Sequence, residues 1–213
     1  MLTVHHLGIS QSDRIVWLCE ELAIPYQLIR YERDRSTRMA PPEYRALHPF
    51  GTAPVITDGD VVLGESGAII EYIIARYGNG RLALKADDLG FADYLFWFHF
   101  ANGSLMPSSM LDLVAGMLGD AAPTGAFSAL RERGGRAFAM IESRLGKVPY
   151  FAGEEFTAAD IIMLFPLSTM REFSPRDLTP FPHIQAYLKR IAARPAYQRA
   201  MAKADPGYSP PLA

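Results

Sequence analysis

Residues 50–70 carry the side chains best suited to bind a small charged ligand. Asp58-Gly59 is a turn dipeptide between two short apolar runs, and Glu65-Ser66 stands directly before an apolar run with helical spacing. A helix N-terminus directs backbone N–H groups and the positive end of the helix dipole at one point. Ser66 can bind an anion there or simply cap the helix, and Glu65 can hold an ammonium group. The pair therefore fits a zwitterion.

Pro54 indicates an open backbone edge in the same segment. Proline has no N–H group, so it cannot donate to a strand ladder. A cis peptide bond between Ala53 and Pro54 accommodates this residue, and we expect one here. The adjacent backbone would then be open to an extended peptide ligand.

The elements that position this segment alternate between strand and helix. Strands are expected at residues 2–7, 26–31, 53–57 and 61–63, and helices at residues 14–22, 43–47 and 68–77. The first two strands should be parallel because a helix connects them, and the last two should form a hairpin. This order predicts a thioredoxin-like domain at residues 1–80.

Beyond a linker at residues 81–88 the sequence shows no convincing strand. Helices are expected at residues 89–118, 126–145, 157–170, 183–193 and 196–204, with Pro166 kinking the third of them. Thr157 and Asp160 have the spacing of a capping box. The predicted fold class is α/β plus all-α, in which the thioredoxin-like domain is followed by a C-terminal helical bundle at residues 88–213.

Composition narrows the functional classes. The chain has 213 residues, of which 49% are hydrophobic and 21% charged, as in ordinary globular proteins. A net charge of −2 disfavours nucleic-acid and membrane partners. The single cysteine, Cys19, excludes an internal disulfide, and no His, Cys or carboxylate group has metal-ligand spacing. The start is too polar for a signal peptide, and no apolar run could span a bilayer. We therefore expect a cytoplasmic protein without a metal.

Three stretches resemble the cytosolic glutathione S-transferases. They are residues 10–14 with the following Trp-Leu-Cys-Glu-Glu-Leu, residues 50–70, and residues 157–160. Residues 40–44, 48–49 and 99–107 further resemble a fungal and bacterial branch of this family. The resemblance covers nearly the whole chain. It implies a detoxification enzyme, a homodimer, that conjugates the glutathione thiolate to small hydrophobic electrophiles.

The resemblance also implies which residues bind glutathione as the co-substrate. They are Thr52, Ala53, Pro54, Val55, Glu65 and Ser66. Thr52 stands where many relatives carry Lys or Gln, so another cation must meet the glycyl carboxylate of glutathione. His48 and Arg38 are the candidates, and the sequence does not choose between them.

Conjugation requires the glutathione thiol as a thiolate. A free thiol has a pKa of about 8.5, so little of it is ionised at neutral pH. The position where many relatives carry a catalytic Ser, Thr or Cys falls at Ile9, which has no side-chain donor. Three activators therefore remain open: the Ser10 hydroxyl, the Ser12 hydroxyl and the backbone amides that begin the first helix. Both serines have helix capping as their simpler role.

A second-substrate pocket is expected on the fourth helix. Its candidate residues are Trp97, His99, Phe100, Asn102 and Met106, although aromatic residues at this spacing also suit a packing core. Two other functions remain open: a non-catalytic ligand-binding protein of this fold, and a glutathione-dependent peroxidase or disulfide reductase. No cysteine lies near Ile9, which disfavours a mixed-disulfide mechanism. Phe50, between Pro49 and Gly51, could insert into a second subunit or pack on its own core.

Overall fold

The computed structural model describes residues 1–119 and 125–212. These residues form two compact units. The first contains residues 1–83 and 193–209, and the second contains residues 84–192 and the last residues from 210. The domain limits expected from the sequence, 1–80 and 88–213, stay a prediction.

The first unit is built on a four-stranded sheet in the order β2-β1-β3-β4. Its strands are β1 (Thr3–Leu7), β2 (Gln27–Tyr31), β3 (Val55–Asp58) and β4 (Val61–Gly64). Strands β1 and β2 are parallel, whereas β3 is antiparallel to both β1 and β4. The helices are α1 (Asp13–Leu22), α2 (Pro42–Arg45), α3 (Ser66–Arg76) and α9 (Pro195–Ala204). The expected thioredoxin-like arrangement is confirmed.

Apolar faces hold these helices in place. All five residues of β1 are buried, and α1 buries most of its length, including Trp17. The last helix, α9, packs on α1, where the Trp17 and Tyr197 rings meet edge to face at 5.0 Å. Arg194, just before α9, donates to both carboxylate oxygens of Glu21 at 2.7 and 2.9 Å. The C-terminal helix is therefore fixed to the helix that begins beside Ser10 and Ser12.

In the described residues of the second unit the regular elements are helices, and the connecting segments include one isolated β-bridge between Tyr150 and Gly153. The unit contains α4 (Phe91–Phe100), a π-helical turn (Ala101–Leu105), α5 (Met106–Leu118), α6 (Ala126–Leu145), α7 (Ala158–Leu167), a 3₁₀ turn (Thr169–Glu172) and α8 (Pro182–Ala192). In this part of the chain no helix is long and apolar enough to cross a membrane, and the same is true of the first unit.

Two helices differ from the sequence-based expectation, and a proline accompanies each difference. The helix expected at residues 89–118 is divided by the π-helical turn, after which Pro107 lies in the first turn of α5. Proline cannot donate to the carbonyl four residues earlier and its ring crowds that carbonyl, so a wider turn precedes it. Helix α7 ends at Leu167, directly after Pro166, instead of running to Met170.

Candidate functional site

The N-terminus of α3 holds a buried hydroxyl next to a buried cation. Ser66 is 2% exposed, and the guanidinium of Arg14 donates to its Oγ at 3.3 Å. The same guanidinium donates to Gln11 Oε1 at 2.8 Å. Burial lowers the pKa of Arg14 to about 10, so this side chain stays protonated at neutral pH. An anion bound at Ser66 would therefore be stabilised by the N-terminal amides of α3 and by the positive charge of the buried Arg14 guanidinium.

Glu65 has an unusual backbone conformation at the same helix end. It is exposed, is not a glycine, and has φ 68° and ψ 119°. Such conformations persist where the surrounding structure holds them, and they are frequent at ligand sites. The conformation places the Glu65 carboxylate at the surface beside Ser66, as a binder of an ammonium group requires.

His48 lies over the end of β4, one residue before Glu65. A Cβ atom on Gly64 would come within 3.3 Å of His48 Cε1, so the histidine ring lies closely against the glycine. The Phe50 N–H donates to His48 Nδ1 at 3.3 Å, so in the neutral ring the proton is on Nε2. His48 thus offers an N–H donor from its other ring nitrogen.

The peptide bond between Ala53 and Pro54 is cis, as the sequence predicted. Pro54 directly precedes the first residue of β3, Val55, which pairs with His5 of β1 and with Gly64 of β4. Thr52 is exposed just before this bond. The candidate backbone segment 52–55 therefore begins an inner strand of the sheet.

The hydroxyl groups of Ser10 and Ser12 face the interior. Ser10 Oγ donates to the Leu7 carbonyl oxygen at 2.6 Å and lies 2.7 Å from Ser12 Oγ. Ser12 Oγ lies 2.9 Å from His6 Nδ1 and accepts from the Leu7 N–H at 3.1 Å. Ser12 occupies the N-cap position of α1 without a capping bond from its side chain. Because a carbonyl oxygen can only accept, the bond to Leu7 uses the single proton of Ser10.

Two backbone amides at the start of α1 are left for a ligand. The Ile9 N–H donates to Asp205 Oδ1 at 3.0 Å, and the Ser12 N–H donates to Ser10 Oγ at 3.3 Å. Between them, the N–H groups of Ser10 and Gln11 have no acceptor among residues 1–119 and 125–212. A helix N-terminus with such amides can bind an anionic sulfur.

The comparisons with known proteins agree with this geometry. Residues 10–76 match the family model described as the glutathione S-transferase N-terminal domain, and residues 105–195 match the glutathione S-transferase C-terminal domain. Glutathione S-transferase 3 of Schizosaccharomyces pombe is 34% identical over 96% of this chain and 88% of its own length. The chain belongs to the glutathione S-transferase family. Its curated relatives are enzymes of that name, and the chain is accordingly a transferase.

Solved structures support the same assignment. A glutathione S-transferase from Actinobacillus pleuropneumoniae is 34% identical with a TM-score of 0.87, and the match covers 96% of this chain and 93% of that one. A theta-class enzyme from Xanthomonas axonopodis pv. citri, solved with glutathione bound, is 28% identical with a TM-score of 0.71. That match covers 93% of this chain and 96% of the other.

The two candidate cations of the transferase lie in different surroundings. Arg38 has a φ of 62° and its side chain is exposed. It lines a groove of about 350 Å³ in the first unit, formed by Gly8, Ile9, Arg30, Glu32, Arg33, Asp34, Arg35, Arg38, Asp205, Pro206 and Tyr208. His48 is not among these residues and packs on Gly64 instead.

The predicted second-substrate residues of the transferase separate into two groups. Trp97 and Met106 are buried, and the Trp97 ring packs on Phe151 at 5.0 Å, which fits the packing-core alternative. His99 is exposed, whereas Phe100 and Asn102 are half-buried. Phe100 lines a cavity of about 370 Å³ with Gly103, Ser104, Pro107, Ser108, Leu111, Leu130, Arg133, Arg136, Ala137 and Met140. A larger cavity of about 890 Å³ is lined by residues including Leu113, Met117 and Phe173.

The single thiol of the transferase is remote from this chemistry. Cys19 is fully buried on α1. Burial raises its pKa to about 12, so the thiol stays protonated at neutral pH. A protonated, inaccessible thiol does not attack a disulfide. Cys19 is therefore a core residue, as its position on an apolar helix face suggested.

Sequence reasoning missed four polar residues of this site: His6, Arg14, Arg33 and Asp205. For Arg14 a signal existed, because this arginine stands four and eight positions before Leu18 and Leu22 and so shares their apolar helix face. Asp205 had no such signal, since it lies 196 positions from its partner Ile9.

Proposed function

We propose that the transferase conjugates the glutathione thiolate to small hydrophobic electrophiles as a detoxification enzyme. The observation that carries this proposal is the buried Arg14–Ser66 contact at the N-terminus of α3. In our proposal the γ-glutamyl carboxylate binds Ser66 and the α3 amides, with Arg14 behind them. The γ-glutamyl amine binds the adjacent Glu65.

The rest of glutathione follows the segment before β3. We propose that the cysteinyl backbone lies along Ala53, Pro54 and Val55, with Thr52 at the far end. His48 is the favoured partner of the glycyl carboxylate, because its ring is fixed against Gly64 beside Glu65 and offers an N–H donor. Arg38 remains the alternative, since its exposed guanidinium lines the groove that also contains Ile9.

Of the three possible thiol activators, the geometry favours the backbone amides. Lowering the thiol pKa by roughly two units requires about 2.7 kcal/mol of preferential stabilisation of the thiolate. The Ser10 and Gln11 N–H groups and the dipole of α1 can contribute to this, because they converge at the helix start. We propose that the Ser10 and Ser12 hydroxyls instead hold the loop in shape, since their bonds run to Leu7 and His6.

We propose that the electrophile contacts His99, Phe100 and Asn102, the members of the predicted set that are not buried. Trp97 and Met106 would then shape this region from the core behind it. A homodimer in the cytoplasm, with the domain limits 1–80 and 88–213, completes the proposal. These features rest on the family and on composition.

Ser66→Ala tests the proposed glutathione site. Loss of a hydrogen bond to a charged group costs about 1.5–3 kcal/mol, so affinity for S-methylglutathione should fall roughly ten- to a hundredfold in calorimetric titration. Ser168→Ala is the matched control, because Ser168 is also buried and its hydroxyl donates to the Leu164 carbonyl oxygen at 2.9 Å within the second unit. Equal affinity of Ser66→Ala and wild type would contradict the site.

A turnover assay with a generic aryl halide tests the reaction. Wild-type protein should form the conjugate at a rate that depends on glutathione concentration. Binding of glutathione without any conjugate would favour the non-catalytic alternative. Turnover of a small disulfide in place of the halide would favour the reductase.

A further inference from the structure

Ile9 lies in a backbone conformation that its own side chain disfavours. Its φ is 49°, in the left-handed region. A β-branched residue there is an outlier, and the left-handed conformation costs roughly 1–2 kcal/mol for residues with a Cβ. Such a conformation persists only where neighbouring groups hold it. Neighbouring groups must therefore hold the backbone of Ile9 in this conformation.

Two side chains fix the peptide groups on both sides of Ile9. In the Gly8–Ile9 peptide, Arg33 Nε donates to the Gly8 carbonyl oxygen at 2.8 Å and the Ile9 N–H donates to Asp205 Oδ1 at 3.0 Å. In the Ile9–Ser10 peptide, Arg33 Nη2 donates to the Ile9 carbonyl oxygen at 3.3 Å. A peptide group is planar, so the Ser10 N–H points opposite to the Ile9 carbonyl. Fixing that carbonyl therefore fixes the direction of the Ser10 N–H.

Asp205 is itself positioned by further contacts of its side chain and of the residue before it. His6 Nε2 lies 3.1 Å from Asp205 Oδ2, and His6 Nδ1 lies 2.9 Å from Ser12 Oγ. The residue before it is fixed as well, because Arg30 Nε donates to the Ala204 carbonyl oxygen at 2.8 Å. Burial acts to raise the pKa of Asp205, but contacts with His6, Ile9 and Arg30 outweigh it and hold the pKa below its ordinary value. Asp205 is thus an anchored carboxylate at neutral pH.

The Ser12, His6 and Asp205 side chains lie next to one another in the order of a hydrolase triad, but they do not form one, because neither His6 Nε2 nor Asp205 Oδ2 makes a hydrogen bond within the described residues. Ser12 is 0% exposed, and its Oγ accepts the Leu7 N–H. A substrate carbonyl cannot reach it. These contacts instead connect the start of α1 with the carboxylate that accepts from the Ile9 N–H, so they help to hold the backbone at Ile9 in place.

We propose that Asp205 and Arg33 are positioning residues that together direct the Ser10 N–H toward the sulfur of bound glutathione. The proposal rests on the proposed function, in which the amides at the start of α1 stabilise the thiolate. In this proposal the segment after α9 contributes to thiol activation, although Asp205 contacts neither glutathione nor the electrophile. The charged and titratable groups that act electrostatically on Asp205 or on its partners include His6, Asp13, Arg14, Arg30, Arg33, Arg38, Tyr44 and Tyr197.

Asp205→Asn and Arg33→Lys test the proposal. In both variants the pKa of the bound glutathione thiol, measured by the ultraviolet absorbance of the thiolate, should rise by about one unit. The kcat at neutral pH should fall about tenfold and recover as the pH rises. Affinity for S-methylglutathione, which has no thiol to ionise, should stay within twofold of wild type.

The two substitutions separate position from charge. Asp205→Asn removes a negative charge, so a purely electrostatic role predicts a lower thiol pKa. Arg33→Lys keeps the positive charge but loses the planar group that reaches the carbonyls of Gly8, Ile9 and Arg38 at once, so the same role predicts no change. Either of these results, or a thiol pKa unchanged in both variants, would overturn the proposal. If Asp205→Asn does not fold, Arg33→Lys alone decides, because Arg33 is only half-buried.

Glu21→Gln is the matched control. It also removes a carboxylate that ties the C-terminal helix α9 to α1, through Arg194, but it has no contact with residues 8–10. Its thermal midpoint should fall while the thiol pKa stays that of wild type. An equal rise of the thiol pKa in this control would show a general loosening and overturn the proposal. If the wild type itself neither binds S-methylglutathione nor ionises glutathione, it is the proposed function that fails.

Discussion

A single hydroxyl proton limits what Ser10 can do. Its Oγ lies 2.6 Å from the Leu7 carbonyl oxygen, which can only accept, and 2.7 Å from Ser12 Oγ. To donate to a sulfur atom, Ser10 would have to give up the Leu7 bond and leave a buried carbonyl with less than its usual hydrogen bonding. The amide of the same residue has no such commitment. At the scale of the residue, this geometry favours the backbone of Ser10 over its side chain as the proposed activator.

Ser10→Ala should therefore leave the thiol nearly unaffected. We expect the pKa of the bound glutathione thiol to stay within about 0.3 unit of wild type, while the lost hydrogen bond lowers the free energy of unfolding by about 1 kcal/mol. Ultraviolet titration and thermal unfolding measure the two quantities. A rise of the thiol pKa by a full unit would show instead that the Ser10 hydroxyl donates to the sulfur.

Sequence reasoning identified those residues whose role depends on their neighbours along the chain. The cis bond before Pro54 and the place of Ser66 at a helix start follow from local chemistry, and both are observed. Arg33 and Asp205 could not be found in this way, because their partners are backbone groups, and every residue has those. Which carbonyl an arginine reaches depends on the folded path of the chain.

At the scale of the element, one helix start stands out. The capping box of α7 is present as predicted: the Thr157 N–H donates to Asp160 Oδ2 at 2.9 Å, and Thr157 Oγ1 accepts from Ala159. Asp160 also accepts the Phe151 N–H at 3.0 Å and is 0% exposed. Burial raises its pKa to about 6, despite these bonds. Asp160 therefore joins the helix to the loop before it, which the sequence pattern did not show.

Thr157→Ala and Asp160→Ala should have unequal effects. Thr157→Ala removes one cap and should cost about 1 kcal/mol of stability. Asp160→Ala leaves two buried N–H groups without an acceptor, at about 1–3 kcal/mol each, so its cost should be at least twice as large. Denaturant unfolding gives both values. Equal midpoints for wild type and both variants would mean that the box does not stabilise α7.

The order of elements was predictable because the patterns that define it are short. Alternation, helical spacing and turn dipeptides located all four strands and most helices. The break at Ala101–Leu105 was not predicted, although Asn102, Gly103 and Ser104 within it are poor helix formers. The apolar and aromatic residues on both sides of this turn suggested one continuous helix.

At the scale of the whole molecule, exposed apolar surface suggests how the transferase assembles. Phe50 is 71% exposed in the first unit, so it does not pack on its own core there. It stands between Pro49 and Gly51. Gly51 has a φ of 67°, and its backbone N–H donates to the His48 carbonyl oxygen at 2.9 Å. The backbone around Phe50 is therefore ordered, and a large apolar side chain on an ordered loop is suited to insertion into a partner.

Phe50→Ser should weaken the proposed homodimer of the transferase. A buried phenylalanine contributes about 1.5–3 kcal/mol through the apolar surface it removes from water, which corresponds to roughly a ten- to a hundredfold loss in dimer affinity. Light scattering over a dilution series measures that affinity. Val62→Ser is the matched control, because Val62 is also exposed in the first unit but lies on the edge strand β4. Dimers of equal affinity and stability in Phe50→Ser and wild type would exclude the insertion. A weaker dimer in both variants would indicate a broad apolar interface that needs no inserted side chain.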